Sequence, residues 1–137
     1  MKILSIDFDG VLHSYTSGWK GAKCIPDPPV ENAIDWLVSL LEPPEHMGIG
    51  PRFKDFDVQI FSSRSRYFFG RRAMKKWLMD EFEKAGYHRK YVERIKFPVF
   101  KPPAFLHIDD RCICFSGEFP SKAEMIAFKP YRTEKLP

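Results

Sequence analysis

The sequence is short of cysteines and of long apolar runs, and each shortage excludes a class of protein. Three of its 137 residues are cysteines, an odd number without the framework of a disulfide-stapled secreted scaffold. The apolar run that begins at Ile3 stops at Asp7, far too early for a signal peptide or a membrane span. We therefore expect a cytoplasmic protein with reduced thiols and no membrane partner.

Two ligand-binding motifs are also missing. The chain has no Gly-x-x-x-x-Gly-Lys-Ser/Thr pattern, which argues against a kinase-type P-loop. Cys112 and Cys114, together with the nearby His107, offer too few ligands for a zinc site. Buried or half-buried free thiols are the better interpretation of these cysteines.

The composition is that of a folded protein. Apolar residues make up 44% of the chain and aromatic residues 15%, enough for a core. A length of 137 residues fits one domain, and we assign residues 1–137 to it. The net charge of +4 is compatible with an anionic substrate and equally with an ordinary soluble protein.

Strand-length apolar segments alternate with amphipathic helical segments. Apolar residues at helical spacing predict helices over 30–41 and 70–85, with Pro43 and Gly86 just beyond their ends. Strands are predicted at 2–10, 57–62, 95–97 and 104–108, with a possible fifth at 113–115 and a short helix or irregular segment at 121–128. This alternation predicts an α/β domain with a three-layer, Rossmann-like parallel sheet.

Acidic and hydroxyl side chains stand where three of the predicted strands end. The first strand ends in Asp7 and Asp9, the second in Ser62, and the fourth in Asp109 and Asp110. Because the carboxyl ends of parallel strands meet at one edge of a sheet, we expect the four carboxylates to converge. A hard divalent cation would relieve their repulsion, and oxygen ligands favour Mg²⁺.

The spacing of the first two carboxylates suits a reaction at phosphorus. Asp7 and Asp9 are two residues apart and would share one side of a strand. One could attack phosphorus while the other protonates the leaving oxygen. Gly10 permits a sharp turn after them. Ser62 and Lys101 could supply a donor and a cation to the phosphoryl oxygens.

These segments together resemble the haloacid dehalogenase superfamily of phosphohydrolases. Its first motif is similar to Asp-Phe-Asp-Gly-Val-Leu at 7–12, and its second to Ile-Phe-Ser at 60–62. Lys101 resembles the lysine of the third motif, and Ile-Asp-Asp at 108–110 resembles the acidic fourth. All four stand in the order of the family, over residues 1–111.

The resemblance implies a role for each matched residue. Asp7 would be the nucleophile that becomes an aspartyl-phosphate, and Asp9 the general acid and then the base. Ser62 and Lys101 would hold the phosphoryl oxygens. The magnesium ligands would be Asp7, the backbone carbonyl of Asp9, and Asp109, Asp110 or both. The gaps between motifs leave no room for a full cap domain.

Further residues near the motifs are candidate substrate contacts. We assign Gly10, Ser63 and Arg64 to substrate binding, with a solvated loop charge as the alternative for Arg64. His13 either contacts the leaving group or has a structural role.

The sequence thus predicts a Mg²⁺-dependent phosphatase acting on a phosphorylated small molecule or a nucleic-acid end. The nucleic-acid alternative depends on the segment 108–111, which resembles the 3′-phosphatase domain of polynucleotide kinases. It also depends on a basic helix start formed by Arg71, Arg72, Lys75 and Lys76. A non-catalytic phosphate-binding module on the same fold is the third interpretation.

Overall fold

The computed structural model describes residues 1–41 and 56–131. Within these residues the protein is an α/β structure built on a parallel sheet of three strands, which confirms the predicted class. The strands are β1 (Lys2–Ile6), β2 (Phe56–Ile60) and β3 (Leu106–Ile108), in the order β2-β1-β3. The first strand is therefore central, and Leu4 pairs with Val58 on one side and Leu106 on the other.

The remaining predicted strands are reduced or absent. Residues 95–97 form a single parallel bridge, in which Lys96 pairs with Gln59 at the outer edge of β2. A 3₁₀ helix over Arg89–Arg94 precedes this bridge. The predicted strand at 113–115 does not form, because its apolar side chains find no sheet: Ile113 and Phe115 are more than half exposed.

Two helices cover the sheet, and their ends differ slightly from the prediction. The first, α1, spans Ala33–Leu41 rather than 30–41, because Asn32 has a φ of 68°, which is outside the helical region. The second, α2, spans Phe68–Lys84. It begins close to the preceding loop, since a side chain on Gly70 would collide with the backbone carbonyl of Arg64.

The core lies between β1, β2 and the two helices. Its fully buried members include Ile6, Phe8, Leu37, Ile60 and Leu78. The last helix, α3 (Lys122–Ile126), is closed by a Ser121–Glu124 capping box but buries no residue. None of the helices in the described ranges has the length and apolarity to cross a bilayer.

The cysteines differ from the prediction in one respect. Cys24, Cys112 and Cys114 are all free, but all three are exposed rather than buried. The cause for Cys112 and Cys114 is the same as for the missing strand, because they lie in a segment with no buried residue. The two glycines and the proline at 45–55 predict a loop, and the polar composition of 129–137 predicts a frayed tail; the loop and residues 132–137 lie outside the described residues.

Candidate functional site

The sheet brings three carboxylates together at its carboxyl edge. Asp7 follows β1 directly, and its backbone N–H donates to the Ile108 carbonyl at the end of β3. Asp109 and Asp110 follow that same strand. One carboxylate oxygen from each of Asp7, Asp109 and Asp110 lies within 4.8 Å of the others. We call these three residues the acidic cluster.

Asp110 is the least satisfied member of the acidic cluster. Both of its carboxylate oxygens are buried and have no hydrogen-bond partner. It lies against Gly10, whose φ is +87°, and a Cβ atom there would collide with the Asp110 carboxylate. A buried carboxylate without a donor is costly, so the site lacks a positive partner for it.

The acidic cluster also perturbs the titration of Asp7. Burial, followed by the charges of Asp109 and Asp110, raises the pKa of Asp7 from 3.8 to about 8. At neutral pH Asp7 therefore keeps its proton unless a cation lies among the three carboxylates. The donor set is entirely carboxylate oxygen, which fits a hard divalent ion such as Mg²⁺. Asp7, Asp109 and Asp110 are the residues that could hold one.

The carboxylate of Asp9 is not a member of the acidic cluster and is held by two buried side chains. Arg64 donates from Nε to Oδ2 at 2.9 Å and from Nη2 to Oδ1 at 3.2 Å. His13 donates from Nδ1 to Oδ1 at 2.9 Å. A contact between Asp9 and a metal would therefore use its backbone carbonyl, as the resemblance implies.

His13 is fully buried, which supports the structural interpretation of this residue. Its Nε2 accepts from the backbone N–H of Asp27 at 3.1 Å, so Nδ1 carries the proton that is donated to Asp9. The ring stacks on Phe8 and meets the edge of Trp77. Asp27 in turn accepts the N–H and hydroxyl of Ser17.

Arg64 has a different role from the predicted substrate contact. Its side chain is fully buried, and Nη1 donates to the carbonyls of Gly21, Ala22 and Cys24 at 2.8–3.1 Å. It thereby joins Asp9 to the segment 13–29, which we call the flap. A guanidinium enclosed in this way cannot reach a substrate. Gly10 likewise has no free donor, because its N–H is bonded to the His13 carbonyl.

The two serines after β2 face different parts of the protein, and Ser62 does not reach the site where it was predicted to act. The hydroxyl of Ser62 is buried, accepts the N–H of Arg64 and donates toward the sulfur of Met74. It faces the core and stabilises the turn. Ser63 is exposed and lines the cleft above the acidic cluster. Both serines lie beyond the end of β2 at Ile60, so the turn that follows the strand sets the direction of their side chains.

A cleft of about 330 Å³ lies over the acidic cluster. Its walls are formed by Asp7, Asp9, Tyr15, Ser63, Asp109 and Arg111. Lys101 lines an adjacent hollow of about 230 Å³ that shares Asp7 and Asp109 with the cleft. Arg111 was missed as a site residue, although its position directly after the strand-end acids was a usable signal.

Comparison with protein-family models, with curated proteins and with solved structures found no match for this chain. The case for a function therefore depends on the geometry of the site and on the motifs.

Proposed function

We propose that the protein is a Mg²⁺-dependent phosphatase with a haloacid dehalogenase-like fold, which hydrolyses a phosphate monoester through an aspartyl-phosphate on Asp7. The observation that carries the proposal is the acidic cluster, with the partnerless Asp110 carboxylate inside it. A structural carboxylate at a strand end would be solvated or paired. The Asp110 carboxylate is neither, whereas Asp109 is exposed and accepts the backbone N–H of Arg111.

The reaction would proceed in two steps. A carboxylate oxygen of Asp7 attacks phosphorus, the bond from phosphorus to the leaving oxygen breaks, and Asp9 gives that oxygen a proton. A water molecule then attacks the phosphorus of the aspartyl-phosphate and passes its proton to Asp9, which frees Asp7 and inorganic phosphate.

The other residues of the site would bind and orient the phosphate. Ser63, at the rim of the cleft, can donate to a phosphoryl oxygen, and Lys101 and Arg111 can place positive charge beside it. A bound Mg²⁺ would neutralise the acidic cluster and keep Asp7 ionised beside an incoming anion.

A cleft of about 330 Å³ has the size of a small-molecule site, so we place a phosphorylated small molecule first as the substrate. The basic residues at the start of α2 motivated the nucleic-acid alternative, and two of them make contacts within the protein. Arg71 donates to the Ser65 carbonyl, and Lys76 pairs with Asp80. We therefore place a nucleic-acid 3′-phosphate second.

The proposal is tested by Asp7→Asn, with Asp57→Asn as the matched control. Asp57 is a sheet carboxylate that pairs with Lys96, away from the cleft. With 4-nitrophenyl phosphate and Mg²⁺, we expect Asp7→Asn to lose at least about a thousandfold in kcat and Asp57→Asn to keep wild-type rates.

Near-wild-type turnover by a folded Asp7→Asn protein would refute the assigned nucleophile. A wild-type protein that binds inorganic phosphate with Mg²⁺ but hydrolyses no ester in a broad panel would instead be a binding module. Faster hydrolysis of a 3′-phosphorylated oligonucleotide than of a sugar phosphate, with steep salt dependence, would favour the nucleic-acid substrate.

A further inference from the structure

The contacts of Asp9 account for nearly all of its hydrogen-bonding capacity. Each carboxylate oxygen has two lone pairs. Oδ1 accepts from both His13 and Arg64, and Oδ2 accepts from Arg64. One lone pair, on Oδ2, is left. Asp9 also borders the cleft, with 12% of its side chain exposed.

We infer that Arg64 and His13 are positioning residues that fix Asp9 so that the free lone pair of Oδ2 faces the leaving group. This inference rests on the proposed function. A proton carried on that lone pair breaks none of the three contacts, so Asp9 can deliver or collect a proton without turning. A carboxylate held from two directions cannot adopt another rotamer at low cost.

The positioning pair is itself held rigidly. Arg64 lies between the rings of Phe8 and Trp19, with its guanidinium carbon 5.9 Å and 5.0 Å from their centroids. Its three hydrogen bonds to carbonyls of the flap hold the guanidinium group in place. The flap is thus joined to the proton-transfer group and not only packed beside it.

A residue that only stabilises the fold would affect all substrates alike. A residue that orients a general acid matters most when the leaving oxygen is strongly basic, because a weakly basic oxygen can leave without a proton. The dependence of the rate on the leaving group therefore separates positioning from a merely structural role.

The experiment compares Arg64→Lys with Arg66→Lys on two substrates, phenyl phosphate and 4-nitrophenyl phosphate. Arg66 belongs to the same loop but is exposed and contacts Tyr67. We expect Arg64→Lys to lose at least about tenfold more kcat/KM, which reports the step that releases the leaving group, on phenyl phosphate, whose leaving oxygen is the more basic, within the range attributed to general acids. Arg66→Lys should lose nothing on either substrate.

His13→Phe provides the same comparison if Arg64→Lys does not fold, since phenylalanine can keep the ring contacts with Phe8 and Trp77. Equal losses on both substrates by a folded variant would overturn the inference.

A measurement without turnover separates this inference from the proposed function. Nitrogen NMR of the imidazoles should show His13 as the Nδ1–H tautomer, with the signal identified by its loss in His13→Phe. An Nε2–H tautomer would overturn the positioning arrangement even in an active enzyme. A wild-type protein with the Nδ1–H tautomer and no phosphatase activity would instead refute the proposed function, and with it the role given to Asp9.

Discussion

The chain up to Ile95 and the chain from Pro98 onward are packed very differently, although both contribute to the acidic cluster. Every buried aliphatic or aromatic side chain of the described residues lies at or before Ile95. In residues 98–131 Pro102 is the buried residue, while large apolar side chains such as Phe100 and Phe119 are more than 80% exposed. We call these the packed region and the exposed region.

Because of this difference, the rest of the protein supports the two parts of the acidic cluster unequally. Asp7 extends from the central strand of the packed region, and Asp109 and Asp110 extend from a strand of three residues in the exposed region. The positions of the three carboxylates relative to one another thus depend on the pairing of β3 with β1 and on the contact between Gly10 and Asp110.

The largest expected effect tests the packing contrast itself. Phe8→Ala should lower the free energy of unfolding by about 3–5 kcal/mol, because Phe8 is fully buried against Trp77 and His13. Phe119→Ala should change it by less than about 0.5 kcal/mol, because Phe119 is 87% exposed. Urea unfolding measures both. A similar loss in the free energy of unfolding for the two variants would show that the exposed region is packed in solution and would refute the difference between the two regions.

A smaller effect is expected where the two regions touch. Gly10→Ala combines a positive φ with a collision against Asp110, whereas Gly18→Ala has a similar φ of 73° and no atom within 4 Å of its Cβ. We expect Gly18→Ala to lower the free energy of unfolding by about 1 kcal/mol through backbone strain alone, and Gly10→Ala to lower it by at least about twice as much. Calorimetry with Mg²⁺ should show weakened binding for Gly10→Ala and unchanged binding for Gly18→Ala. Equal stability and equal Mg²⁺ affinity would mean that this contact does not position Asp110.

A further expected effect concerns pH. The folded protein binds the Asp7 proton up to about pH 8, while the unfolded chain releases it near 3.8. The stabilising contribution of this proton is complete below 3.8 and is lost as the pH rises through about 8, so metal-free stability should fall over this range.

Mg²⁺ should therefore raise the melting temperature by a few degrees more at pH 8 than at pH 5. Differential scanning fluorimetry with Mg²⁺ or EDTA provides the measurement. Asp7→Asn should abolish the difference between the two pH values, and Asp57→Asn should keep it. A Mg²⁺ shift that is independent of pH would place the ion away from Asp7.

Local patterns allowed much of the packed region to be predicted from sequence. The apolar run before Asp7 predicts a buried strand, and the helical spacing of apolar residues in α1 and α2 predicts the buried face of each helix. Both patterns can be read from a short stretch of sequence. The same reasoning failed at 113–115, since an apolar triplet predicts a strand whether or not a partner strand exists. Convergence of Asp7 with Asp109 and Asp110 could be expected, because parallel strand ends meet at one edge.

The contacts of Arg64 could not be predicted. Its partners Asp9 and Gly21 are 55 and 43 residues away in sequence, and nothing local distinguishes a buried arginine from the exposed Arg66. Ser62 was expected at the end of β2, but the strand ends two residues earlier, at Ile60, and element ends are the least reliable part of any pattern.

The central place of β1 in the sheet has a consequence for how the protein assembles. The strand β1, which leads into Asp7, precedes its neighbour β3 by most of the described chain, with Leu4 beside Leu106. Closing so long a loop costs entropy before any contact rewards it. The molecule would thus form its core early and its acidic cluster last.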